Sequence, residues 1–382
     1  MNSIILSLIF YTLGIGGLFF VDILINHYFS ANDIKLWVLN KSLMMMIGPL
    51  LLLGYNNVFL RYPEKTKSTL NLCLFLSVLW LIFGFILDYF FKFEFSYFIV
   101  IGFSFSLLVT SLLRVADGNL AAQINQSIWK ILLLIFVLIS CYYSNLSEYF
   151  YVMLGLFLFL PSLFYLLKCF SKLEGDNSIK LEKDNHSFAR QMLISGLLLN
   201  VATYYELFLL AKFYNAKLVS EYFMYFTLFT AYGIFLSGYL GFYLTPKIRK
   251  QPKKTLQFIE KNKYKIRISI IVIGLLNFAV GCAYLLFTGA QIDLFLASMF
   301  LLLGMLRVLY IFPTSKMGAL ADPVDLKSFL GRNLILTILY MLVLILVVYF
   351  SFSLYIVILV VILNWLFRVF IANKIAKRVE EN

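Results

Sequence analysis

Long apolar stretches alternate along this chain with short polar or charged breaks, and most stretches are about as long as a bilayer is thick. A helix needs roughly 20 mostly apolar residues to cross the hydrocarbon core of a membrane. Each stretch therefore predicts one membrane-spanning helix. The first stretch has no basic segment before it and is too long for a cleaved signal, so we expect it to be retained. The twelve predicted spans cover residues 3–28, 36–60, 68–91, 95–117, 118–142, 147–170, 190–213, 218–244, 266–288, 290–312, 328–350 and 351–372.

The positions of lysine and arginine test this span count independently. Both residues collect on the cytoplasmic side of membrane-spanning helices. If the N-terminus is cytoplasmic, 26 of them fall in or beside cytoplasmic segments, five fall in outer segments, and Lys130 lies inside a span. Adding or removing one span would destroy this asymmetry. We therefore expect both termini to be cytoplasmic, and most of the net charge of +13 to lie on the inner side.

The composition agrees with a membrane protein and argues against other classes. Hydrophobic residues make up 62% of the chain and charged residues 13%, and the mean hydropathy is +0.91, which no soluble domain needs. We expect the basic stretch 247–267 to meet anionic lipid headgroups rather than nucleic acid. The four cysteines form no CxxC pair and the two histidines are far apart, so we predict no disulfide, metal or cofactor. No catalytic motif is present, and we expect a protein that is not an enzyme.

Short sequence matches recur about half a chain apart. Asp22 precedes Gly54-Tyr55 by the same 32 residues that separate Glu206 from Gly238-Tyr239, an offset of 184 between the copies. Leu-Arg-Val recurs at Arg114 and Arg307 with an offset of 193. These matches fall in corresponding spans of two six-span halves, and an even number of spans per half makes the repeat parallel. We therefore predict an all-α integral membrane protein of twelve transmembrane helices in two parallel-repeat six-helix bundles. The predicted parts are an N-terminal half (1–170), a cytoplasmic linker (171–189) and a C-terminal half (190–382).

The fifth span carries a polar stripe. Its residues are spaced 4, 3 and 4 apart and share one helix face; they are Asn119, Gln123, Gln126 and Lys130. An uncompensated lysine near the bilayer centre costs at least about 2.5–3.5 kcal/mol, so the stripe should face a bundle interior or a wet cavity. Such a cavity would suit an anionic substrate. The alternative is that Lys130 pairs structurally with an acid; the acids considered are Asp22, Asp88 and Glu206.

Four arginines are candidates for the same cationic lining, at its cytoplasmic mouth. They are Arg114, Arg307, Arg61 and Arg332. The planar guanidinium suits phosphate oxygens and keeps its charge. The alternative is that these residues sit at inner span ends and extend to lipid headgroups.

Two acids and two prolines are also predicted to lie within the membrane-spanning segments. Asp22 and Glu206 are predicted in the outer parts of spans 1 and 7, where a desolvated carboxylate can carry a proton or sodium ion. The alternative is a salt bridge that fixes helix positions. Pro49 and Pro161 predict kinks in spans 2 and 6.

Three segments resemble the Wzx-type lipid-linked oligosaccharide flippases of the multidrug/oligosaccharidyl-lipid/polysaccharide exporter superfamily. The resemblance lies in the run Tyr205-Glu206-Leu207-Phe208-Leu209-Leu210 that ends span 7 and in the Glu221-Tyr222 pair that opens span 8. It also lies in the end of span 2, which runs from Gly54-Tyr55-Asn56-Asn57 to Arg61. The number of spans is similar to that of the same family.

The resemblance implies a bacterial inner-membrane protein that moves undecaprenyl-pyrophosphate-linked repeat units, such as O-antigen units for lipopolysaccharide, by alternating access. Lys130, Arg114 and Arg307 would hold the pyrophosphate, and Asp22 and Glu206 would couple a proton or sodium ion. The partners considered are this substrate, membrane lipids, a polysaccharide polymerase and a chain-length regulator. A drug exporter of the same superfamily, a polysaccharide polymerase and a membrane scaffold remain alternatives.

Overall fold

The computed structural model describes residues 3–91, 97–116, 118–143, 149–170 and 181–381. Across these ranges the chain forms helices joined by short turns, and no strand occurs in them. The prediction of an all-α protein is confirmed. The helices are α1 (Ser3–Tyr28), α2 (Ala31–Ile47), α3 (Val58–Arg61), α4 (Thr66–Phe91), α5 (Tyr97–Ala116), α6 (Asn119–Tyr142), α7 (Phe150–Phe170), α8 (Lys183–Phe213), α9 (Ala216–Lys250), α10 (Pro252–Lys261), α11 (Lys263–Phe287), α12 (Leu294–Leu320), α13 (Pro323–Tyr349) and α14 (Leu354–Glu381).

Within the described ranges, eleven helices are long and apolar enough to cross a membrane. They carry large apolar side chains that face outward; Phe75, Leu276 and Leu346, for example, are each more than half exposed. Such surfaces suit lipid rather than water. The prediction of a multi-pass membrane protein is confirmed at this level.

The second predicted span, 36–60, is where the structure differs most from the sequence pattern. Instead of one kinked helix, the chain forms α2, a 3-10 turn at Gly48–Leu50, a second 3-10 turn at Tyr55–Asn57 and the short α3. Pro49 removes one backbone donor from the helix. Leu53 and Gly54 then adopt left-handed conformations, with φ of 49° and 80°. The helix is therefore interrupted over about ten residues, and the prediction of a continuous second span is wrong.

The other helix ends lie close to the predicted ones, but several helices continue into polar sequence. α8 begins at Lys183 rather than at residue 190, and α12 continues to Leu320 rather than ending at 312. Hydropathy marks the part of a helix that matches the hydrocarbon thickness, whereas the hydrogen-bonded helix continues until a cap or breaker ends it. Side-chain caps fix where four helices begin. The capping residues are Ser30, Asn215, Asp293 and Asp322.

The chain divides into two compact units, Met1–Lys212 and Phe213–Asn382. In the first unit α1 packs along α6 and α5 packs along α7. In the second unit α12 packs against both α9 and α14. Residues 171–180 of the predicted linker lie outside the described residues, and the predicted halves, with their parallel repeat, stay a prediction.

Candidate functional site

The first unit contains a buried ion pair between α1 and α2. Asp22 is 6% exposed; its carboxylate accepts a hydrogen bond of 2.9 Å from the Trp37 indole and forms an ion pair with the Lys41 ammonium. Ser30 caps α2 directly after α1 ends, so the two helices form a tight hairpin that brings these residues to the same depth. The salt bridge considered as the alternative for Asp22 is therefore present.

Lys41 is a residue that the sequence reasoning missed. We counted it among the lysines of the outer segments, but it lies ten residues into α2 and is 8% exposed. The signal was available, because a buried Asp22 requires a cation and the short connection makes spans 1 and 2 antiparallel neighbours.

Lys130 lies in the middle of α6 and is 9% exposed. Its ammonium is 5.5 Å from the centroid of the Trp129 ring and lies within electrostatic range of Lys41. Among the described residues Lys130 forms no ion pair, because Asp22 is bound to Lys41 instead. The side chain of Asp88, another acid considered, lies outside the described residues. Lys130 is thus a buried cation beside a second buried cation.

Small residues on α1 bring α6 close and fix this position. A Cβ atom on Gly14 would lie 2.5 Å from the Ser127 hydroxyl, and one on Gly17 would lie 3.5 Å from the backbone carbonyl of Lys130. Gly16, between them, faces open space. At Gly14 a side chain would clash, whereas the distance at Gly17 is an ordinary contact, so Gly14 is the glycine that allows the close approach of α6.

The rest of the α6 stripe changes environment along the helix. Gln123 is buried and donates to the Ser127 hydroxyl at 3.3 Å, Gln126 is half-buried, and Asn119 at the start of α6 is exposed. The stripe therefore runs from an exposed helix end to the buried Lys130.

A second polar contact on α6 was not predicted. The Asn125 side chain is 1% exposed and donates to the Thr110 hydroxyl at 3.0 Å and to the Ser106 carbonyl at 3.2 Å. It accepts a bond of 3.3 Å from Ser162 on α7. Asn125 therefore joins α5, α6 and α7. In the sequence, the only indication of this contact is that spans 4 and 6 contain small polar residues.

The arginines of the first unit lie nearer its surface than Lys130. Arg61, at the end of α3, is exposed, and its guanidinium lies 4.8 Å from the centroid of the Phe188 ring on α8. Arg114 is half-buried in the last turn of α5. Both arginines lie in the last turn of a helix, and whether they bind substrate or extend to headgroups stays open between the two predictions.

In the second unit, Arg307 is buried rather than placed at a helix end. It lies near the middle of α12, because this helix continues beyond the predicted span, and it is 3% exposed. Its guanidinium is 5.2 Å from the ring centroid of Phe226 on α9 and 5.4 Å from that of Trp365 on α14. The prediction that Arg307 lies near the inner end of its membrane span stays a prediction, since the helix continues beyond the predicted span. The two Leu-Arg-Val copies thus occupy different positions in their helices.

Arg368 on α14 is a buried arginine that the sequence reasoning counted among cytoplasmic charges. It is 1% exposed and donates to the Thr337 hydroxyl at 2.5 Å and to the side-chain amide oxygens of Asn333 and Asn364, each at 3.4 Å. The sequence does contain an indication of this cluster: polar residues four apart, at 333 and 337 and at 364 and 368, share a helix face in neighbouring spans. Arg332, the predicted candidate next to Asn333, is half-buried.

Glu206 is fully buried in α8, seven residues before that helix ends, much as Asp22 lies six residues before the end of α1. In both places a side-chain cap on the next helix follows, from Asn215 and Ser30 respectively. The Gly-Tyr copies differ more, because Gly54 is in the interrupted span whereas Gly238 lies inside α9.

Each of the two units contains buried cationic side chains. A cation in an apolar environment attracts an anionic group strongly, and both arginine and lysine are common ligands of phosphate. No cluster of three or more potential metal ligands occurs in the part of the chain that the structure describes.

Neither protein-family models nor curated protein sequences match this chain.

Proposed function

We propose that this protein is a flippase that moves a lipid-linked oligosaccharide, carried on undecaprenyl pyrophosphate, across the bacterial inner membrane. The observation that carries the proposal is Lys130, a buried lysine that forms no ion pair among the described residues. Burying an unpaired cation is unfavourable, and a protein that retains one gains from it when an anionic ligand arrives. The pyrophosphate of a lipid carrier is such a ligand.

The roles of the cations follow from their surroundings. Lys130 would contact the pyrophosphate, and Lys41 beside it would add to the positive potential. Arg307 would bind a phosphate or an acidic sugar as part of the same transport cycle, while Arg114, Arg61 and Arg332 would attract the substrate from the membrane surface. Asn119, Gln123 and Gln126 offer amide groups to sugar hydroxyls.

Asp22 and Glu206 are the proposed coupling residues. In the structure Asp22 is bound to Lys41, so an incoming proton or sodium ion would have to release this pair. Freed from Asp22, Lys41 would turn toward the substrate phosphate. Binding of the coupling proton or sodium ion and binding of the anionic substrate would then be linked through the Asp22–Lys41 ion pair. Such a cycle is driven only if these ligands bind the two conformations with different affinities.

The proposed setting is the topology derived from the sequence. Twelve spans, including the interrupted second one, would form two parallel six-helix repeats with both termini in the cytoplasm. The two repeats would rock between inward-open and outward-open states while the lipid tail remains in the bilayer.

Complementation of a flippase-null strain tests the proposal. The triple variant Lys130→Ala, Arg114→Ala and Arg307→Ala should abolish surface glycan and leave the lipid-linked unit on the cytoplasmic face. A matched control with three exposed lysines replaced, Lys253→Ala, Lys254→Ala and Lys265→Ala, should retain surface glycan. Full activity of the first variant would contradict the cationic site.

A drug exporter of the same superfamily is the second candidate, favoured by the fully buried Glu206, since a carboxylate suits a cationic drug. The two functions differ in what Lys130→Ala does. A drug exporter should tolerate or improve with the loss of a cation, whereas the proposed flippase should fail.

A further inference from the structure

A groove in the second unit lies between α10, α11, α12 and α14 and encloses a cavity of about 710 Å³. The buried arginines Arg307 and Arg368 are on two of these helices, but neither of them lines the groove. Three of the helices are among those long and apolar enough to cross a membrane. Ile271 and Leu302 in its lining are exposed, so lipid would reach the groove if these helices cross a bilayer.

One part of the groove is apolar. Its lining side chains come mainly from α11 and α12, and Leu302 and Ile271 are more than 40% exposed. The apolar lining residues include Ile270, Ile271, Leu302, Met305, Leu309 and Phe312. A hydrocarbon chain that enters this part removes exposed apolar surface, although in a bilayer the gain comes from packing rather than from water.

The other part of the groove is basic. Its cations come from three helices and are Lys263, Arg267, Lys316 and Lys377. Among the described side chains that line the groove, the one carboxylate is that of Glu260, whose oxygen lies 3.0 Å from the Lys263 ammonium. This hydrogen bond and the charge of Lys263 lower the pKa of Glu260, so the carboxylate is ionised at neutral pH. Among the described lining side chains, four cations face one acid, which is an excess of positive charge.

These charges lie near the ends of long apolar helices, which is where lipid headgroups meet a membrane-spanning helix. Lys263 and Arg267 lie in the first two turns of α11, and Lys316 lies in the last two turns of α12. α10, which precedes α11, is too short to span and places Ile259 toward the groove. The apolar part then extends along the same helices toward their middle.

We propose that this groove binds one anionic membrane phospholipid, with its phosphate among the four cations and an acyl chain against the apolar residues. Charge complementarity and the division into a basic and an apolar part identify the ligand class. A zwitterionic lipid has no net charge for this excess of cations, and a soluble anion leaves the apolar part unfilled. The inference requires a membrane protein but does not depend on the flippase proposal.

Native mass spectrometry of the detergent-purified full chain tests the site. We expect a retained one-lipid adduct with phosphatidylglycerol and a much weaker one with phosphatidylcholine of the same acyl chains. The variant with Lys263→Gln, Arg267→Gln, Lys316→Gln and Lys377→Gln should lose affinity for phosphatidylglycerol, by roughly fivefold for each cation. The matched control is Lys250→Gln, Lys253→Gln, Lys254→Gln and Lys265→Gln, which removes the same charge from exposed positions outside the groove.

A second variant tests the apolar part without changing any charge. Leu309→Trp should fill the groove and reduce the phosphatidylglycerol adduct, whereas Ile338→Trp, at an exposed position on α13, should leave it unchanged. Equal loss in the basic variant and its charge control, or equal retention of both lipids, would overturn the proposal. Inorganic phosphate that displaces the lipid fully would also overturn it, since the site would then recognise a free anion.

Discussion

Two buried lysines of the first unit, Lys41 and Lys130, differ in whether an acid neutralises them. Lys41 is paired with Asp22, and the Trp37 indole supplies another hydrogen bond to the same carboxylate. Lys130 lies close by and forms no ion pair among the described residues. The pair therefore stabilises the α1–α2 hairpin, whereas Lys130 is retained at a cost to stability. Functional residues are often of the second kind.

Breaking the Asp22–Lys41 pair should destabilise the protein more than removing both partners. Asp22→Asn alone removes the carboxylate that pairs with the buried Lys41, and a broken buried pair costs about 3–5 kcal/mol. The double variant Asp22→Asn with Lys41→Met should recover part of the loss in melting temperature, measured in detergent. Additive losses in the double variant would contradict a direct pair.

Replacing Lys130 by methionine should have the opposite effect on stability. Lys130→Met removes a buried cation and keeps a long apolar side chain, so the melting temperature should stay the same or rise while transport is lost. The exposed Lys217→Met serves as the control and should change neither quantity. A marked drop in the melting temperature of Lys130→Met would indicate that this lysine is structural.

At the scale of elements, the interruption of the second span was predicted only in part. Pro49 predicted a kink in span 2, but the left-handed turn at Gly54 was not predicted. That turn depends on how closely α8 approaches, since a Cβ on Gly54 would lie 2.0 Å from the Ala189 carbonyl oxygen. Such a long-range contact leaves no local signal in the sequence.

Gly54→Ala should destabilise the first unit more than Gly118→Ala does. Both glycines have positive φ: Gly54 is left-handed (φ 80°, ψ −4°), and Gly118 is extended (φ 87°, ψ 179°) in a region used almost only by glycine. Alanine therefore costs about 1–3 kcal/mol of backbone strain at either position. Only Gly54 adds a clash with the backbone of α8, whereas Gly118 faces open space. Melting temperatures of the two variants should separate these effects, and equal losses would argue against the close approach of α8.

The α1–α6 contact can be tested with two neighbouring glycines. Gly14→Ala would place its Cβ 2.5 Å from the Ser127 hydroxyl and force the helices apart, at a cost of about 1–3 kcal/mol. Gly16→Ala has no neighbour within 4 Å and should be tolerated. Thermal unfolding in detergent measures both. If Gly16→Ala were the more destabilising variant, α1 would have to face α6 differently.

At the scale of the whole molecule, hydropathy was sufficient for the fold class and for most helix positions, because burial in lipid imposes long apolar helices. It was not sufficient for the charges inside the units. The positive-inside pattern assigned Lys41 and Arg368 to span ends, yet both are buried and hydrogen-bonded or ion-paired. Which polar groups meet across helices depends on helix rotation and packing, and a single sequence does not encode these in a readable pattern.

The sidedness of the lipid-linked oligosaccharide is the most direct measurement of the proposed function. In the strain that encodes this protein, its depletion should leave undecaprenyl-pyrophosphate-linked glycan on the cytoplasmic face, protected from a periplasmic glycan-cleaving enzyme. Restoring the unaltered chain or Lys217→Met should return the glycan to the periplasmic face, while Lys130→Met should not. Unchanged exposure of the glycan on the periplasmic face after depletion would contradict the account.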